Sequence, residues 1–194
     1  MYSNLANLIA SAGPVFLAGS DWENITTSDY FQVKSGVSIL SGVTVNTGGT
    51  TSTAELFNGT LSVVTMTKAT PAVISWASHP FSAGDAVRFT TTGALYTGLT
   101  AGTTYYVSTA GLTADEFVVA DTQAHALAGT NSIAMSGTES GVQTAWDVTR
   151  PIGTYDTTTR GNIPAGANGL KLSSGLIAVT ADGGTPANLT IAYF

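Results

Sequence analysis

The chain has 194 residues, of which 43% are apolar but only 9% charged, with 22 glycines, no cysteine and a net charge of −6. A typical soluble domain carries about 25% charged residues, so most of the polar surface here must come from Thr, Ser, Asn and the backbone. The lack of cysteine excludes disulfides and thiolate metal sites. The six basic residues (Lys34, Lys68, Arg88, Arg150, Arg160 and Lys171) are scattered. They form no stripe that could neutralise phosphates or an anionic membrane surface, so neither nucleic acid nor membrane is expected as a partner.

Thr is β-branched and suits a pleated surface, whereas Gly, Asn and Ser suit tight turns. The composition therefore points to a β-rich protein, and its weakly charged surface offers little protection against association. Such a surface fits a subunit of a larger assembly.

In chain order, residues 3–11 are the one segment read as a helix. Leu5, Leu8 and Ile9 have i, i+3, i+4 spacing, and Gly13-Pro14 stops the pattern. No signal peptide is expected, since the start lacks a charged n-region. Asp21 and Glu23 flank Trp22 in what reads as a loop; Asp-Trp-Glu could form a carbohydrate-binding tip, but a Trp that anchors the loop on the core is the commoner arrangement and the one expected. Short strands follow at 30–33, 37–40 and 43–45, separated by Ser35-Gly36 and Ser41-Gly42. A polar loop spans 46–53, and Asn58-Gly59 predicts a hairpin with a type I′ turn. Strands are expected at 63–68, 72–76, 86–91, within 103–107, and at 116–120 and 132–135. The last segment returns to strands at 142–148, 170–172, 176–179 and 189–193.

The run from about 74 to 120 carries a recognisable motif. It contains Ser78-His79, Gly84-Asp85-Ala86-Val87-Arg88-Phe89, Gly93-Ala94-Leu95, Gly98-Leu99-Thr100-Ala101-Gly102-Thr103-Thr104-Tyr105-Tyr106-Val107 and Phe117-Val118. This stretch, about a quarter of the chain, resembles a small β-module that recurs in structural proteins of tailed-bacteriophage particles, on heads and tails alike. It departs from that pattern at Tyr96, where proline is expected. The resemblance implies a non-enzymatic virion subunit, assembled in the bacterial host cytoplasm. Its implied partners are the major capsid protein or other virion subunits, and further copies of itself, most simply as a trimer.

The expected fold class is all-β. Residues 1–62 plus 141–194 form a sandwich- or barrel-like base domain with one short N-terminal helix, and 63–140 form an inserted β-module. The base domain is the expected docking part. Leu5, Leu8, Ile9, Trp22, Phe31, Val33 and Tyr193 are its candidate contact residues. A capsid decoration or head-fibre role fits the small size and the absence of a long repeat. A tail, baseplate or glycan-recognising receptor-binding role is the alternative, favoured by Trp22, Tyr96 and Tyr155.

Catalytic chemistry has little material. The two histidines, His79 and His125, are far apart in sequence. His79 precedes Pro80 in an expected turn, where bonding to backbone is the ordinary role. His125 follows Asp121 by four residues, a spacing without meaning on a strand. Asp115 and Glu116 would point to opposite faces of a strand. A glycan depolymerase is therefore the least supported reading. No catalytic residue, cofactor or metal ligand is assigned.

Overall fold

The computed structural model describes residues 21–27, 29–50, 53–164, 169–180 and 185–194. The expected helix, with Leu5, Leu8 and Ile9, lies outside the described residues. The chain is all-β. In order, its strands are β1 (Asp21–Ile25), β2 (Tyr30–Ser35), β3 (Ser38–Thr47), β4 (Thr53–Phe57), β5 (Ser62–Val63), β6 (Thr65–Met66), β7 (Ile74–Ser75), β8 (Ala86–Thr91) and β9 (Thr104–Val107). They continue as β10 (Glu116–Phe117), β11 (Val119–Ala120), β12 (Gln143–Asp147), β13 (Pro151–Asp156), β14 (Gly161–Pro164), β15 (Leu170–Leu172), β16 (Gly175–Val179) and β17 (Asn188–Tyr193). One helix, α1 (Gln123–Ala128), lies between β11 and β12.

The chain forms two compact units, one from residues 1–58 and 153–194 and the other from 59–152. Sequence reading put the corresponding divisions at 62/63 and 140/141. The structure keeps β5 and β12 in the second unit because they pair with each other, with β12 also pairing β8.

In the first unit, one sheet has the order β1-β17-β3-β14, with β15 also paired to β3. A second has the order β13-β4-β16-β2. Alternation along β3 buries Ser38, Leu40, Val43 and Val45 and turns Ile39, Thr44 and Asn46 the other way. The spacing from Leu40 to Val43 breaks strict alternation. A register shift absorbs it: Ala192 pairs with Gly42 while Tyr193 pairs with Leu40. Ser41-Gly42, read as a break between two strands, is thus a bulge inside one ten-residue strand. Ile25, Leu56, Leu172, Ile177, Leu189 and Ile191 are among the side chains of this core that lose nearly all contact with solvent. Burying each contributes about 1.5–3 kcal/mol before the entropy of ordering is set against it.

The second unit has a five-stranded sheet, β11-β9-β8-β12-β5, and a three-stranded sheet, β10-β7-β6. Its core gathers Ile74, Val87, Phe89, Val107, Phe117 and Val119 with Tyr105 and Met135. The motif residues build this unit. Gly84 has φ +86° at the turn before β8, where the Asp85 carboxylate accepts the Ser82 N–H at 2.7 Å. The Arg88 guanidinium donates from Nε to the Thr104 hydroxyl at 2.8 Å across the β8–β9 pair. The Tyr105 hydroxyl accepts the Thr100 N–H at 2.9 Å and donates to the Gly98 carbonyl at 3.4 Å, fixing the loop between them. Expected strands were shortened here. Residues 132–135 make no strand, only an isolated bridge at Ser132, with another just beyond them at Ser136.

Two further expectations are corrected. Asn58-Gly59 does not close a hairpin: β4 pairs with β16 and β5 with β12, and neither residue takes the positive φ that a type I′ turn requires. Residues 123–128, read as part of a strand-rich stretch, are helical. The Thr122 side chain caps the helix by accepting the His125 N–H, and Gly129 at φ 67° ends it. Six residues are too few for helical periodicity to stand out.

Candidate docking surface

The candidate contact residues divide by burial. Val33 on β2 and Tyr193 on β17, expected as contact residues, are instead buried in the core of the first unit, which leaves little of either side chain to reach a partner. Phe31 is half-buried, opposite Ala178 of β16. Trp22 differs: it is 57% exposed although it lies on a paired strand.

Asp21 and Glu23, read as loop residues, lie on β1 opposite Tyr193 and Ile191. The alternation that buries Ile25 puts Asp21 and Glu23 on its face of the strand, and Trp22 and Asn24 on the other. The Lys34 ammonium comes within 3.6 Å of the Asp21 carboxylate and 5.3 Å of the Tyr193 ring centroid. Burial raises the Tyr193 phenol above its ordinary pKa, and the Asp21 and Glu23 carboxylates add to the effect. Among the described residues, β1 is paired on its β17 side alone. Two inward-side carboxylates on an edge strand discourage unwanted pairing with other chains.

The face that carries Trp22 and Asn24 is polar and networked. Cross-strand register puts Asn24 beside Thr190, Thr190 beside Thr44, and Thr44 beside Asn162. The Asn46 amide donates to the Asn188 Oδ1 at 3.0 Å and to the Thr190 hydroxyl at 2.8 Å. The Thr44 hydroxyl donates to Asn162 Oδ1 at 3.4 Å. Sequence reading missed this group. The alternating polar positions were visible, but which strands stand side by side was not.

The titratable groups elsewhere are tied into local structure. Asp115 Oδ1 accepts the Ser78 N–H at 2.8 Å, while Glu116 Oε1 takes the Ser75 hydroxyl at 3.4 Å. His79 Nδ1 accepts the Phe81 N–H at 3.2 Å, and its ring packs edge-on against Phe117 at 5.1 Å between centroids. His125 Nδ1 lies 2.6 Å from Asp121 Oδ1. The sequence spacing acquired meaning because Thr122 starts a helix between them. That hydrogen bond holds the Asp121 carboxyl below the usual carboxylate range. Burial and the nearby Glu139 carboxylate raise the Tyr96 phenol. Among the described residues, no group of three or more His, Cys, Asp or Glu side chains could hold a metal ion. No described helix is long and apolar enough to cross a membrane.

This surface carries an exposed indole, amides and hydroxyls on a sheet face, and a charged strand edge. Comparison with protein-family models, with curated proteins and with solved structures finds no match for the chain.

Proposed function

We propose that the chain is a non-enzymatic structural subunit of a tailed-phage particle, a capsid decoration or head-fibre protein that docks through its first unit and presents its second. The reading rests on one observation: the stretch that resembles the phage β-module lies wholly within the compact unit of residues 59–152. Its glycines, Tyr105 and Phe89 serve that unit's turns and core. Their pattern marks an architecture and assigns no reaction.

The layout suits modular use. β4 and β13, the strands that lead into and out of the second unit, are neighbours in one sheet of the first. A module joined at adjacent strands can be added with little disturbance of its host. The sparse charge of the chain adds support, because neutral surfaces suit permanent contact with other subunits better than free solubility. The partners proposed are the major capsid protein and further copies of this chain.

Quantitative mass spectrometry of purified particles, referenced to the major capsid protein, tests the reading. Hundreds of copies per particle would support decoration of the shell. About a dozen would move the chain to the tail or a single vertex and overturn the decoration role. Absence from particles would overturn the virion assignment.

A further inference from the structure

Three rows of side chains cross the outer face of the sheet β1-β17-β3-β14. In the first, Phe194 exchanges backbone hydrogen bonds with Ile39, at 3.0 and 2.6 Å, and Ile39 pairs with Lys171 of β15. Trp22, Ala192 and Gly42 form the second row. Asn24, Thr190, Thr44 and Asn162 form the third.

Trp22 on β1, 57% exposed, and Phe194, 40% exposed and directly following β17, are diagonal neighbours. Such positions are about 7–8 Å apart, so one short oligomer can touch both rings. Beside the indole stand a methyl group and a glycine, which leave the floor next to it low and flat. Beyond them the third row offers hydroxyls and amides partly fixed by the Asn46–Thr190 and Thr44–Asn162 bonds. The carboxylates of Asp21 and Glu23 belong to the opposite face. Among the described strand residues of this outer face, Lys171 is the charged one, at its margin.

An aromatic platform beside pre-ordered amides and hydroxyls on an uncharged flat surface complements a polymer with apolar ring faces and a neutral hydroxylated rim. A protein partner would call for a larger apolar centre, and an anionic one for a cluster of cations. We propose that this outer face binds a neutral glycan, with one pyranose ring lying on Trp22 and its hydroxyls bonded by Asn24, Thr44, Asn162 and Thr190. The site is independent of the virion reading, because binding by the purified chain does not depend on where that chain is assembled.

The test is titration of the purified full chain with cellohexaose, laminarihexaose, maltohexaose and mannohexaose, followed by tryptophan fluorescence and calorimetry. At least one hexasaccharide is expected to bind saturably with a blue shift in emission. Trp22→Ala should weaken that binding by about tenfold or more, as loss of a central aromatic contact does. Asn162→Ala should weaken it less, and Trp76→Phe, in the second unit, should leave it unchanged. Because Trp22 is exposed, its replacement should leave the thermal transition nearly unmoved, which separates loss of binding from loss of fold. Three outcomes would overturn the proposal: no saturable binding to any of the four, binding undiminished in Trp22→Ala, or a self-associating chain that Trp22→Ala renders monomeric without any glycan bound.

Discussion

Asn58 Oδ1 accepts the backbone N–H of Ser174 at 3.1 Å, and it also accepts that of Ser173 at 3.2 Å. The Asn58 amide returns a hydrogen bond to the Ser173 hydroxyl at 3.2 Å. One side chain thus satisfies two backbone donors in the turn that leads into β16, at the residue where the chain leaves the first unit. Asn58→Ala should cost about 1 kcal/mol, since it strands the part-buried Ser174 N–H while the exposed Ser173 N–H can turn to water. Asn58→Asp, which keeps the acceptor, should cost less. Denaturant unfolding monitored by circular dichroism would measure both.

Gly98 has φ +117°, a region that L-residues avoid, and a Cβ there would run into the Ala134 carbonyl oxygen. Gly98→Ala should destabilise the chain by more than the roughly 1–3 kcal/mol of backbone strain alone. The Tyr105 hydroxyl would lose its anchor on the Gly98 carbonyl as the loop shifts, so Tyr105→Phe should lose only part of that stability. A large cost for Tyr105→Phe and none for Gly98→Ala would contradict this account of the loop.

Residues 59–152 contain their own core, with Phe89 and Phe117 buried inside it. Expressed alone, this segment should unfold in one cooperative transition. Phe89→Ala should lower its stability by about 3–5 kcal/mol, the usual cost of emptying an aromatic site. A segment that binds hydrophobic dyes and lacks a transition would show that the core is incomplete.

The Asp121 carboxyl is held below its ordinary pKa chiefly by the His125 hydrogen bond, which outweighs desolvation, with the His125 charge and backbone donors adding smaller effects. A carboxyl that is more acidic in the folded chain stabilises the fold at pH values above its unfolded pKa of about 3.9. That contribution disappears as pH falls from there through the lower folded value. Carbon-detected NMR should find the Asp121 midpoint below the usual range. His125→Phe should move it up. Asp156, lowered by the Thr158 hydroxyl and N–H, should respond to Thr158→Val and be indifferent to His125→Phe.

The all-β class was legible from Thr, Gly and alternating apolar residues. The strands around residues 43–45, 86–91 and 176–179 could be read because their side chains face a core. What escaped was fixed by partners distant in the chain. Ser41-Gly42 looks like a strand break, but β17 supplies a register that tolerates an extra residue. Asn58-Gly59 has hairpin composition, yet the bonds that use Asn58 come from Ser173 and Ser174. Trp22 stands out in the sequence but reads as part of a loop, because the acidic residues beside it hide the alternation that Ile25 reveals. The third row of the outer face was invisible for the same reason: Asn24, Thr44, Asn162 and Thr190 are separated in sequence and meet through register.

The nesting of one unit inside the other orders events during synthesis. β1 and β3 wait for β17, with Asp21 paired to Tyr193 and Val43 to Ile191, whereas every strand of the second unit finds its partners within residues 59–152. On the ribosome the inner unit can therefore finish while half of the outer one has emerged unpaired. Its folding draws β4 and β13 together and replaces a long flexible loop with a compact body, lowering the entropic cost of closing the outer sheets. Between those moments the apolar faces of β2, β3 and β4 stand uncovered. Lesions that slow the inner unit should thus appear first as aggregation of the outer one.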